Sequence, residues 1–338
     1  MKIKSTFCES HPNIALIKYW GKADEKLNTP INGSLSVTLD FGTTRTEITR
    51  SDHEEFVLNG KSAQITSRLQ SALDFFSKYS ENDKYLIKSS NNFPTAAGFA
   101  SSAAGAAAFV GALASFVGET DNPVEFWKER NVDLSELARR VSGSGCRSIY
   151  GGFVEWTPGE SSNGEDSISK QLFDELHWET FSVISVSLHT KPKKVPSTLG
   201  MQQTVRTCPW MAWRAKEVVP KRIQDSRDFI RNRDFSSLAE IIMKESNELH
   251  ANCAATFPPI HYLNDSSRLV IDAIHNLNNS KQRNVAAYSF DAGPNPFIFA
   301  EKENVEEVMN TIKAIKEIEI ENIIEARPAS GISCSCLE

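Results

Sequence analysis

The sequence predicts an α+β fold in two domains, and three observations carry that expectation. Apolar, β-branched runs of strand length crowd the first third of the chain, whereas helical periodicities crowd its second half. The two kinds are segregated rather than strictly alternating, which disfavours a doubly wound parallel sheet. The 338 residues are 40% apolar and 24% charged, enough for two domains that bury their cores without disulfides or a structural metal.

In chain order, residues 13–17, 34–39, 43–49 and 55–58 are expected strands, and Asn59-Gly60 closes the last with a tight-turn pair. Leu69, Ala72, Leu73 and Phe76 recur at helical spacing over residues 68–77. An Ala-rich helix is expected to begin near Ala100. Asp133-Leu134-Ser135-Glu136 has capping-box spacing for a third helix that ends at Gly143. A strand at 153–156, a polar loop at 158–166 and a central strand at 181–188 follow, then a break at Lys191-Pro192-Lys193-Lys194. The domain boundary is placed near residue 185, giving domains 1–185 and 186–338. Beyond it, helices are expected over 213–232 (broken by Pro220), 236–253 and 260–278. Strands at 285–290 and 297–300, a helix through Met309 and a strand near Ile320 complete the reading.

Thirty-seven basic against 43 acidic residues leave a net charge of −6. That balance argues against nucleic acid or an anionic membrane as partner, since both need a basic face. An anionic small molecule needs only local positive charge. No uninterrupted apolar run reaches the roughly 18 residues of a membrane span. The start, Met1 to Thr6, lacks the apolar core of a secretory signal, and the six cysteines include no CxxC pair. They are expected to be reduced thiols of a cytoplasmic protein. Cys334 and Cys336 alone are too few for a four-ligand zinc site.

Four segments are candidates for chemistry. Pro94-Thr95-Ala96-Ala97-Gly98-Phe99-Ala100-Ser101-Ser102 runs from a Gly-bearing loop into a helix. A helix start offers unpaired N–H groups and partial positive charge to a phosphate, and serine hydroxyls can bond phosphate oxygens or Mg2+. Plain N-capping selects the same serines. The segment is not GxGxxG, and Asn59-Gly60-Lys61-Ser62 is not a P-loop, because Glu55 stands where its first glycine belongs. In the second segment, Asn13 to Lys22, Lys18 and Lys22 flank Tyr19, Trp20 and Gly21. Lysines held beside aromatic bulk act more strongly on an anion; the alternative is an edge strand with solvated lysines.

The third segment, Ser142-Gly143-Ser144-Gly145-Cys146-Arg147-Ser148, exposes backbone and hydroxyl donors beside an arginine that forks onto carboxylate or phosphate. Its alternative is a glycine helix stop. The fourth, Ser289 to Asn295, leaves Asp291 at a strand end, where turn chemistry and catalysis both use aspartate. Ser197-Thr198, after the Lys191, Lys193 and Lys194 cluster, is either another phosphate contact or a solvated loop. No HExxH and no GxSxG occurs, and His250 and His275 read as helix-face or core residues.

Taken together, these segments resemble the mevalonate diphosphate decarboxylase family, within the superfamily of galactokinase, homoserine kinase, mevalonate kinase and phosphomevalonate kinase. The resemblance extends through Pro30-Ile31-Asn32, Ser34 to Leu39, Arg139 to Trp156, Ser197 to Gln202, Met243 to Asn247 and Thr256 to Ile260. It implies a ribosomal-protein-S5-like amino-terminal domain that binds ATP and a ferredoxin-like carboxy-terminal domain, with the active site in the cleft between them. It also implies Mg2+ and a homodimer. Carried over by position, Asp291 is the catalytic aspartate, Arg147 the carboxylate-binding arginine and Lys18 the catalytic lysine. Tyr19, Lys22, Ser142, Ser144 and Ser197 match substrate contacts. Pro94, Ala97, Gly98, Ala100, Ser101 and Ser102 match the ATP phosphate loop, with Ser102 the hydroxyl that meets Mg2+. Phe99, Gly33, Gly145 and Pro296 depart from the family's usual Leu, Ser, Ala and Ala.

The activity so implied is ATP-dependent decarboxylation of mevalonate 5-diphosphate to isopentenyl diphosphate, ADP, phosphate and CO2. Three rivals stay open at this stage: a decarboxylase of the monophosphate, a mevalonate 3-kinase that stops after phosphorylation, and a non-catalytic small-molecule sensor of the same fold.

Overall fold

Burial alternates along Thr44–Ser51 and Lys84–Asn91, as it does in strands with one wet face. In the computed structural model, which describes residues 3–80, 83–92, 101–189 and 194–337, these strands are the centre of a six-stranded sheet. Its order is Ser333–Leu337, Ser5–Ser10, Thr44–Ser51, Lys84–Asn91, Glu55–Leu58, Lys61–Ala63. Asn59 and Gly60 turn the last hairpin at φ 50° and 75°, the left-handed pair that suits a two-residue hairpin.

The covered face of this sheet holds the Ser101–Gly118 helix; Thr6 Oγ1 donates to Ala112 O at 2.9 Å. Ala103, Ala104, Ala106, Ala107 and Ala108 are all buried. Small side chains are required because the helix is enclosed from a second side by the Gly143–Ile149 turn. A Cβ on Gly145 would stand 2.8 Å from the Ala106 Cβ, which accounts for glycine at a position where the resemblance leads one to expect alanine.

The second sheet runs Ser169–Phe173, Phe153–Trp156, Ser34–Thr38, Asn13–Ile17. The last three strands are buried along their whole length, so their sequences show apolar and small polar residues without alternation. A third sheet, Ala286–Phe290, Pro296–Glu301, Phe181–Leu188, Ile320–Ala326, belongs to the second half of the chain. Residue 185 lies inside the Phe181–Leu188 strand, which pairs with Pro296–Glu301 and Ile320–Ala326. One core runs between the second and third sheets: Ile14, Leu16, Leu35 and Val37 share it with Val219, Leu238, Ile241 and Phe181. The Asn13–Ile17 strand therefore ends at the junction of the two halves.

Several local expectations are corrected. Pro220 does not end the helix: the helical backbone is continuous over 211–232, and a wide π segment at Arg214–Val218, just ahead of the proline, interrupts the regular α turns. The helix expected over 260–278 is Asp265–Lys281, started by an Asn264–Ser267 capping box. Asp133 does cap Leu134–Val141, but its side chain accepts from Ser135 N. Glu136 pairs with Arg139 and Arg140 rather than reaching back. The helix stops at Val141, two residues before Gly143, and a tight 3₁₀ stretch follows.

Candidate active site

Lys18 is the first residue beyond the Asn13–Ile17 strand, and its side chain is 2% exposed. A lysine so buried needs an opposite charge. Its Nζ donates to Asp291 Oδ1 at 2.7 Å, across a separation of 273 residues. Asp291 follows the Ala286–Phe290 strand and keeps 42% of its side chain exposed, so the pair has one buried and one open end.

The backbone of Lys18 is held from both sides. Its N–H donates to Glu245 Oε2 at 2.9 Å, and its carbonyl accepts from Asn32 Nδ2 at 3.0 Å. Glu245, fully buried on the Phe235–Ala254 helix, pairs with Arg214 at 2.5 Å and with Arg222. Glu248 closes the cluster, 2.9 Å from each of the same arginines. Ser246, the next residue, accepts from the N–H of Phe290 at 3.0 Å.

Arg147, 3% exposed, faces the same region from the Gly143–Ile149 turn. Its Nη1 donates to Ser34 Oγ at 2.6 Å, and its Nε and Nη2 donate to Asn13 Oδ1 at 3.3 and 3.1 Å. These partners are neutral; among the described residues no carboxylate pairs with it. Burial weakens the guanidinium's hold on its proton, opposed by Cys146 and by the nearby charge of Asp291. The result is a desolvated cation with unused donors, which a carboxylate or phosphate would complete. Asn13 also donates to Ser144 O at 3.1 Å and Ser148 Oγ at 2.8 Å, tying the arginine's turn to the strand that delivers Lys18.

Tyr19 packs on Trp156 with ring centroids 4.7 Å apart, and its hydroxyl is buried without a hydrogen-bond partner among the described residues. Gly143 makes room for it, since a Cβ there would lie 2.9 Å from that oxygen. Lys22 Nζ donates to Asn28 Oδ1 at 2.6 Å. Burial, with the Arg68 charge adding to it, pulls the Lys22 ammonium down to about 8. Ser142 caps the Leu134–Val141 helix, and Ser142 and Ser144 are both half-buried. Ser197 opens the Ser197–Thr207 helix, which crosses the Lys18–Lys22 segment: Gly200 lies against Trp20 and Val205 against Gly21.

Of the nucleotide candidates, Ser102 is exposed at the first turn of the Ser101–Gly118 helix. Ser101 begins that helix, and Pro94, Ala97, Gly98 and Ala100 lie outside the described residues. Among the described residues no group of three or more His, Cys, Asp or Glu is arranged to cage a metal.

Sequence reasoning assigned no role to Glu245, Ser246, Arg214, Asn13 or Ser34, and it read His250 as an ordinary helix residue. The signal for the first two was present: they fall on the apolar stripe of Leu238, Ile241, Ile242 and Leu249, where polar residues need a reason. The His250 ring stands edge-on to Phe290, with ring centroids 6.3 Å apart. Burial, and then the Lys18 charge, pull it down to about 4, leaving it neutral.

Residues 10–169 match the diphosphomevalonate decarboxylase-like N-terminal domain, and residues 183–333 match the mevalonate 5-diphosphate decarboxylase C-terminal domain. The chain belongs to the diphosphomevalonate decarboxylase family. It is 41% identical over 327 residues to the diphosphomevalonate decarboxylase of Rattus norvegicus, covering 90% of this chain and 79% of the relative. Mevalonate diphosphate decarboxylase from Trypanosoma brucei superposes with a TM-score of 0.86 at 33% identity, covering 99% of this chain and 98% of that one. A further solved structure, MDDEF in complex with MVAPP, AMPPCP and magnesium, gives a TM-score of 0.85 at 31% identity over 99% of both chains. The two-domain α+β fold expected from the sequence is the fold of this decarboxylase family.

Proposed function

We propose that this chain converts mevalonate 5-diphosphate and ATP to isopentenyl diphosphate, ADP, phosphate and CO2. The observation that carries this reading is Arg147: a buried guanidinium with no carboxylate partner among the described residues, close enough to Asp291 to feel its charge. A kinase that merely phosphorylates an alcohol needs no grip on a carboxylate.

The substrate is a 3-hydroxy acid, and hydroxide leaves too poorly for CO2 loss to expel it. The tertiary hydroxyl oxygen therefore attacks the γ-phosphoryl group of ATP and displaces ADP, its proton passing to Asp291 as base or, with Asp291 as an electrostatic anchor, to a phosphoryl oxygen. The electron pair of the C–carboxylate bond then becomes the alkene π bond as the C–O bond to phosphate breaks. Asp291 holds the hydroxyl, with Lys18 beside it to stabilise charge on the transferring phosphoryl group. Arg147 aligns the carboxylate for elimination. Tyr19, Lys22, Ser142, Ser144 and Ser197 line the remainder of the substrate's path. Lys22 beside Arg68 favours a diphosphate over a monophosphate tail. The phosphate loop up to Ser101 and Ser102 would take the nucleotide, and Ser102 would contact magnesium, which neutralises phosphate charge when bound. We place the division of the two domains near residue 185 and the pocket between them, and we read the protein as a cytoplasmic homodimer. No helix among the described residues is long and apolar enough to cross a membrane.

The test is ATP-dependent CO2 release from mono- and diphosphorylated mevalonate, with ADP measured in parallel. Equal amounts of ADP and CO2 from the diphosphate alone are expected. ADP without CO2 would make the protein a kinase, CO2 from the monophosphate would change its substrate, and neither product would make it a sensor.

A further inference from the structure

We propose that Glu245 and Ser246, adjacent on the Phe235–Ala254 helix, act as a positioning clamp that sets the distance between Lys18 and Asp291. The proposal rests on the roles just given to those two residues. Two backbone N–H groups from different sheets end on neighbouring side chains of one helix. That of Lys18 donates to Glu245 Oε2 at 2.9 Å, and that of Phe290, immediately before Asp291, donates to Ser246 Oγ at 3.0 Å. Both acceptors are buried, at 0% and 1% exposure. One turn of a stiff helix thus spans residues that are 273 apart in sequence.

The arrangement costs more than packing alone requires. A buried ion cluster is seldom more stabilising than apolar side chains of the same volume. Here Glu245 is held by Arg214 and Arg222, which share Glu248, so its carboxylate is fixed in rotation and aimed at the Lys18 N–H. Asn247 adds a third tie, to the Tyr288 hydroxyl on the strand that leads into Asp291, at 3.0 Å. Phosphoryl transfer depends on sub-ångström placement. Substrate affinity comes from groups elsewhere, Arg147 and Lys22 among them. Loosening the clamp should therefore lower kcat and leave KM alone.

The experiment compares wild type, Ser246→Ala, Ser246→Thr and Asp291→Asn in the CO2-release assay. Ser246→Ala is expected to lose about tenfold or more in kcat while KM for both substrates stays within about threefold, as for a contact that serves the transition state. Ser246→Thr, which restores the acceptor, is expected to recover most of the rate. If Ser246→Ala does not fold, Ser246→Cys takes its place with the same expected split, its thiol being a weaker acceptor. A melting temperature that falls in Ser246→Ala while kcat stays at the wild-type value would reduce Ser246 to a structural residue and overturn the clamp. With Asp291→Asn inactive in that same series, the clamp alone falls. Near-normal turnover in Asp291→Asn would remove the catalytic reading on which the clamp rests.

Discussion

Lys18 and Asp291 are bound at 2.7 Å, and the chemistry assigned to them makes sharp demands on single side chains. Asp291→Asn keeps the shape of the pocket but loses its negative charge. Turnover is expected to fall by about three orders of magnitude or more with ATP binding nearly unchanged, as for charge-positioned groups elsewhere; equilibrium nucleotide binding beside steady-state rates checks this. Arg147→Gln is expected to impair CO2 release at saturating substrate; a variant altered only in ATP affinity would refute the carboxylate role. Lys22 gives a pH signature. Its ammonium titrates near pH 8 because of burial and Arg68, so the charged form that attracts the diphosphate is lost as pH rises through that value. KM for the phosphorylated substrate is expected to climb above about pH 8, and Lys22→Met is expected to flatten the climb. The segments around Lys18, Arg147 and Asp291 stand out in sequence, but the roles proposed for them come from the resemblance alone. Each stands in a local pattern with an innocent alternative, and no periodicity announces that Asn13 and Ser34 will hold the guanidinium.

At the scale of elements, long or strongly patterned stretches were readable and weakly patterned ones were not. The Ala-rich helix and the Asn59-Gly60 hairpin follow from composition and turn chemistry alone. Ser5–Ser10 and Ser333–Leu337, by contrast, are made largely of Ser, Thr and Cys. They become strands by pairing with each other, with Cys8 opposite Cys334. That long-range pairing leaves no local trace, so nothing in the tail's own sequence marks it as a sheet edge. The tail reaches this edge by crossing Gly151, where a Cβ would lie 2.5 Å from Gly331 N and 2.6 Å from Ser330 C. The three nearest atoms are all backbone, and backbone cannot rotate aside. Gly151→Ala is therefore expected to destabilise the protein by about 1–3 kcal/mol through overpacking, read as a lowered urea midpoint. An unchanged midpoint would show that the crossing is slack.

For the whole molecule, the decisive feature is that the two halves share a core. Ile14 and Leu16 pack with Leu238 and Ile241, so the strand that delivers Lys18 and the helix that carries Glu245 and Ser246 are set against each other by burial. The α+β class was legible because strand and helix runs are segregated along the chain. The joining of the halves was not, because the apolar residues that join them, Ile14 and Leu238 among them, carry no local mark of the partner they meet. The central claim is that Lys18, Arg147 and Asp291 form one site around one substrate. A crystal structure with mevalonate 5-diphosphate and a non-hydrolysable ATP analogue tests it most directly. The tertiary hydroxyl is expected within hydrogen-bond distance of Asp291 and the substrate carboxylate on the Arg147 guanidinium. A substrate seated elsewhere, with Arg147 still bonded only to Asn13 and Ser34, would contradict it.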